Sequence, residues 1–157
     1  MKTFDYFEEL SNYQFLFLKG FGEPGRNVFR IHVIEGKVSK AIVPIQIAGK
    51  SFGEGHAVNI EADSVEYELT WNSYVLYQIT NEMFWRPEPS TDGIVGKWAS
   101  IYRSSSLLDF AARGAASPGD SSGKLLHFRI ACEDHIVDVI SEVQPVCRKI
   151  GPKLSFA

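Results

Sequence analysis

Cysteine is scarce in this chain. Cys132 and Cys147 are the only two in 157 residues, too few for a disulfide framework. Cys132 falls in a strand pattern, where a free thiol is expected as a small buried hydrophobe. Long apolar runs are missing too. No stretch approaches the roughly 20 residues that a helix needs to cross a bilayer. The first ten residues carry Asp5, Glu8 and Glu9 instead of a basic segment leading into an apolar one, so they do not read as a secretory leader. These absences point to a reduced, cytoplasmic chain that does not engage membranes. Basic excess is absent as well: 16 Lys and Arg stand against 19 Asp and Glu, for a net charge of −3. That excludes the electrostatic footprint of a generic nucleic-acid binder. Arg148-Lys149 with Lys153 reads as a solvated C-terminal tail.

Metal-ligand spacing is lacking. His32, His56, His127 and His135 form neither H-x-H nor H-E-x-x-H, and the cysteines have no zinc spacing. No metal and no cofactor are expected. Gly49-Lys50-Ser51 resembles the end of a phosphate loop, but the upstream glycine is absent and no helix follows. Gly20, Gly22 and Gly25 almost spell a dinucleotide fingerprint, yet a strand follows them. Ser104-Ser105-Ser106 lacks the G-x-S-x-G elbow of a nucleophile, and helix capping accounts for it.

What is present is ordinary globular composition, 45% hydrophobic and 22% charged, at the length of one domain spanning residues 1–157. Aromatics reach 13%, which suits strands and binding surfaces. Period-2 alternation dominates. Val65, Tyr67, Leu69 and Trp71 alternate with Glu66, Glu68 and Thr70; after Asn72-Ser73 the alternation resumes. Phe128, Ile130 and Cys132 alternate with His127, Arg129 and Ala131; after Glu133-Asp134 residues 135–140 return. Alternation broken by two turn-forming residues predicts two antiparallel hairpins. In the first, Trp71 would face Tyr74 and Leu69 would face Leu76, with the Trp71 face in the core. In the second, Arg129 lies opposite Asp138 as an exposed pair worth about 0–1 kcal/mol, and the Phe128 face is buried.

The rest of the chain divides as follows. Residues 3–12 form a short amphipathic helix capped by Thr3. A first strand begins in 13–18, and Gly20, Gly22, Pro24 and Gly25 force a loop. Residues 28–34 alternate, Glu35-Gly36 is a tight turn, and 37–47 return as a strand in which Pro44 marks an edge or bulge. Residues 49–55 are a loop and 56–62 a short strand. Residues 86–93 are a loop, and 94–102 a strand. Ser106 caps one clear helix that Gly114 ends. Residues 115–123 are a candidate mobile loop. The predicted fold is mainly β (α+β): an antiparallel meander sheet or partly closed barrel with one short helix.

Two clusters merit a functional reading. Glu61, Asp63, Glu66 and Glu68 gather at one strand junction. Alternation puts Glu66 and Glu68 on a solvated face, where they guard an edge instead of acting as paired acid and base. More informative is Glu82 with Met83, Phe84, Trp85 and Arg86, where a strand ends and a Pro-rich loop begins. Trp and Arg are over-represented in binding hot spots, so Glu82, Phe84, Trp85 and Arg86 are the candidate binding residues. No catalytic residues are assigned.

The run from Tyr74 to Glu82, the segment Ser106-Leu107-Leu108-Asp109-Phe110 and the 127–140 hairpin resemble a family of small bacterial β-rich proteins with no established activity. The resemblance covers about the C-terminal half and implies no catalytic residues. By analogy it implies an immunity-like or accessory role. Three readings follow, in order. The first is a non-catalytic protein-binding protein, with a homodimer through an edge near Pro44 as one form. The second is a small-molecule binder in an aromatic-lined cavity. The third is a hydrolase-type enzyme using His56 or His127 with nearby carboxylates.

Overall fold

The computed structural model of the chain describes residues 3–87, 92–114 and 124–151. It is mainly β and antiparallel. The elements run α1 (Thr3–Ser11), β1 (Phe15–Gly25), β2 (Val28–Ile47), β3 (Lys50–Asn59), β4 (Glu66–Trp71), β5 (Leu76–Asn81), a 3-10 turn (Glu82–Phe84), β6 (Gly93–Val95), β7 (Ala99–Tyr102), α2 (Ser106–Gly114), β8 (Leu126–Ala131), β9 (His135–Ser141) and β10 (Val146–Ile150). Two five-stranded sheets result. Sheet 1 has the order β1-β2-β4-β10, with β3 paired to β2; sheet 2 has the order β5-β9-β8-β7-β6.

The alternation in 28–34 does what the pattern requires. Phe29, Ile31 and Val33 are fully buried, as are Tyr67, Leu69 and Trp71 beside them on β4. Sheet 2 answers with Phe128, Ile130, Val137 and Val139, and α1 adds Phe7 and Leu10. The aromatic rings interlock across the core. Phe29 stacks on Tyr77 at 3.9 Å between centroids, and Trp71 meets Phe128 edge-on at 5.9 Å. These rings form part of the packed core between the sheets.

The second predicted hairpin forms in the expected register. Arg129 pairs with Asp138, Phe128 with Val139 and Ile130 with Val137. The first does not form. β4 pairs with β2 and β10, whereas β5 pairs with β9. Segment 72–75 carries the chain from one sheet to the other, so Trp71 and Leu69 face Phe29 and Ile31 across the ladder. The alternation identified the buried face correctly but cannot name the neighbouring strand.

Other boundaries shift for identifiable reasons. Gly20 to Gly25 is strand, not loop. It pairs with 28–32 through two irregularities, at Leu18/Gly20 and Gly22/Gly25, and glycine accommodates such bulges. Glu35-Gly36 is not a turn. Gly36 sits opposite Phe15, and a Cβ there would lie 2.5 Å from Phe17 Cε2; glycine is needed for close approach. The chain instead reverses at Ala48 and Gly49, both with positive φ (50° and 77°), as a two-residue hairpin turn requires. Residues 50–55 of the expected 49–55 loop are therefore part of β3. Pro44 lies beside a register shift in the β2–β3 pairing, as its missing N–H demands. The expected 94–102 strand splits into the β6–β7 hairpin. The C-terminal tail is β10, whose Lys149 bonds Glu9 at 2.5 Å. The expected helix at 3–12 forms as α1, beside the expected helix that begins at Ser106. The candidate mobile loop at 115–123 lies outside the described residues.

Candidate functional site

β8 and β9 show their polar alternate positions on the face of sheet 2 that turns away from the core. His127 and Arg129 on β8 and Asp138 on β9 share that face. They are not exposed. His127 and Asp138 are fully buried and Arg129 is 6% exposed. The sequence reading of an exposed pair is corrected: α2 packs over β8 and β9, placing Leu108 and Ala111 against Ile140, and Trp85 and Tyr102 lie over the guanidinium.

Asp138 is the hub. Its Oδ1 accepts a hydrogen bond from Arg129 Nε at 2.6 Å and lies 2.8 Å from His127 Nε2. Its Oδ2 accepts one from Gln78 at 3.0 Å. Burial by itself would raise this carboxyl's pKa. The hydrogen bonds from His127 and Arg129, with the Arg129 charge, outweigh it and hold the group below its ordinary value.

On the other side of the imidazole, His127 Nδ1 lies 2.9 Å from Ser105 Oγ. Ser105 also accepts the Leu108 N–H at 3.1 Å. It is therefore the cap of α2, one residue before the expected Ser106. A serine–histidine–aspartate chain of hydrogen bonds results, with the ring reversed from the usual order of acyl-transfer triads: Nδ1, not Nε2, meets the hydroxyl. Ser105 is 2% exposed.

The candidate residues sit at the rim of this network. Asn81 Oδ1 accepts the Met83 N–H at 3.0 Å, Glu82 O accepts the Trp85 N–H at 3.0 Å, and the Glu82 N–H reaches Asp134 O at 3.3 Å. These bonds fold the chain into a tight 3-10 turn. Glu82, Phe84 and Arg86 project into solvent. Met83 and Phe84 are 82% and 80% exposed, above every other large hydrophobic side chain among the described residues. Trp85 turns inward and lays its ring 5.1 Å from Arg129 Cζ; Tyr102 lies 5.3 Å from the same atom. The structure thus brings one of the four candidates, Trp85, onto the buried network.

Sequence reading passed over Arg129, Asp138, His127 and Ser105 as a group. The signal was present in the shared face of His127 and Arg129 opposite Asp138. Their burial depends on α2, and alternation says nothing about what covers a sheet.

The remaining histidines do not converge here. His56 Nδ1 lies 2.8 Å from Ser39 O on the β2–β3 ribbon. His135 Nδ1 lies 3.1 Å from Asp134. His32 lies on the outer face of sheet 1, 2.7 Å from Glu66 and 3.5 Å from Glu68. Glu66 and Glu68 are not edge guards, because β4 lies between β2 and β10. They are rungs of a cross-strand ladder in which Lys19 also meets Glu66, and Arg30 and Arg148 meet Glu68. Beside this ladder Phe21, Pro24, Arg30 and His32 line an open depression of about 460 Å³.

Among the described residues no group of three His, Cys, Asp or Glu side chains is arranged to hold a metal ion. No described helix is long and apolar enough to cross a membrane. The chain matches no protein-family model, no curated protein and no solved structure.

Proposed function

We propose that this chain is a non-catalytic, protein-binding protein of a bacterial cytoplasm, immunity-like or accessory in role, and that it grips its partner with the turn at residues 82–86. The observation that carries this reading is the exposure of Met83 and Phe84 on a turn whose neighbour Trp85 rests on a buried charge network. An apolar pair held rigidly above the surface loses little conformational freedom on binding, which favours affinity. Flanking Glu82 and Arg86 supply a charged rim, and aromatic and Arg anchors dominate binding energies at such contacts.

The test compares the tagged wild-type chain with Met83→Ser and Phe84→Ala in affinity capture from its own cells. One stoichiometric protein is expected on the wild type, with at least a tenfold loss on either variant and unchanged thermal unfolding. Equal capture by all three removes this turn as the contact.

The Ser105–His127–Asp138 chain of hydrogen bonds favours one other reading, acyl transfer from Ser105. Covalent labelling of Ser105 by a fluorophosphonate, abolished in Ser105→Ala, would replace the proposal above with that one.

A further inference from the structure

Arg129 uses its Nε–H on Asp138, but its Nη1 is buried without a partner among the described residues. Trp85 Nε1 is likewise buried without a partner among those residues. Both belong to groups whose centres lie 5.1 Å apart on the outer face of sheet 2. A buried donor left unpaired is unfavourable, and more so for a charged one. Two such donors on side chains in contact are a defect in a purely structural network. They are what a network needs if an acceptor arrives from outside.

We propose that Arg129 Nη1 and Trp85 Nε1 form a binding site for a carboxylate group. The guanidinium offers a planar fork suited to carboxylate oxygens. It cannot swing away to find other partners, because Asp138 holds its Nε while Trp85 and Tyr102 lie over it. Asp138 is already occupied by His127, Arg129 and Gln78, so its oxygens do not compete for the free N–H groups. The indole N–H supplies a second, neutral donor that accepts no proton and discriminates against cations. Trp71 Nε1 also has no partner among the described residues, but Trp71 is fully enclosed between the sheets, whereas Trp85 is only partly buried. The carboxylate belongs either to a free small acid or to an acidic side chain of a protein. The site stands independently of docking at Met83 and Phe84.

The probe is sodium acetate, titrated into the ¹⁵N-labelled full chain against sodium chloride at matched ionic strength. The Trp85 indole N–H and Arg129 Nε–H signals are followed. Saturable shifts of both, absent with chloride, are expected. Trp85→Phe keeps a ring over the guanidinium and removes the donor; it should raise the acetate midpoint about tenfold at Arg129, the equivalent of about 1.4 kcal/mol. Linear shifts matching those with chloride overturn the proposal. So does an unchanged midpoint in Trp85→Phe with a dispersed spectrum. A glutamate-containing peptide binding at least tenfold tighter than acetate assigns the site to a protein's side chain, and equal affinities assign it to a free acid. Capture by the Phe84→Ala variant reports separately on the docking turn, so either idea can fail alone.

Discussion

At Asp138 three donors meet one buried carboxylate, and two of them are cationic or able to become so. Replacing Asp138 with Asn keeps the shape and removes the charge that Arg129 faces. Breaking a buried pair from one side costs about 3–5 kcal/mol, because the other charge is left uncompensated. Urea unfolding of Asp138→Asn at neutral pH is expected to show a loss of that order. The wild type also carries a pH signature. The Asp138 carboxyl is held below its ordinary value of 3.8, so its stabilising contribution is complete above that value and is lost as pH falls through the folded-state value. A series of urea unfolding curves from pH 6 downward should show this decline in the wild type and a flatter one in Asp138→Asn. Ser105 gives a second expectation at this scale. It caps α2 and touches His127, so Ser105→Ala should cost about 1–2 kcal/mol in the same assay. An equal loss in Ser106→Ala would assign the cap to the other serine.

Elements differ in how firmly they are held. β8 and β9 lie inside sheet 2 with both faces covered, and nearly every side chain is buried. The outer half of β2 and its partner β3 form a two-stranded ribbon whose Ile42, Ile45, Ile47 and Phe52 are exposed. A two-stranded ribbon without a packed face is marginal in water. Amide hydrogen exchange should therefore be fastest at 42–52 and slowest in β8 and β9, by several orders of magnitude. Uniform protection across both would contradict the ribbon's isolation. This is also the scale at which the sequence was most legible. Alternation in 28–34 and 128–140 identified strands, buried faces and one complete register. It failed where glycines suggested punctuation. Gly20, Gly22, Gly36 and Gly53 lie within strands, serving bulges and close approach, while the true reversal at Ala48 and Gly49 had an alanine in one of its two positions. Of the candidate site, Trp85 was legible from its residue type alone. Arg129 was visible as a cross-strand partner but not as a buried one.

For the whole molecule, strand neighbours were the least legible feature. A hydrophobic face states that a strand is covered and leaves its edge partners to global packing. β4 and β5 follow each other in sequence yet belong to different sheets, and sheet 1 is completed only by β10. Val146 pairs with Thr70 and Ile150 with Glu66. Removing residues 146–157 would strip β4 of a neighbour and Glu9 of Lys149. Such a chain is expected to lose the single cooperative thermal transition of the full protein, as read by circular dichroism. The same pairing has a temporal side. A ribosome makes β4 long before β10, and until the last strand emerges β4 offers an open row of amides and carbonyls to any other extended chain nearby. Contacts so distant along the chain also slow the final closure. Synthesis thus leaves this protein with an interval of vulnerability that ends only when its C-terminal strand docks, and a chaperone acting on the nascent chain would find its substrate there.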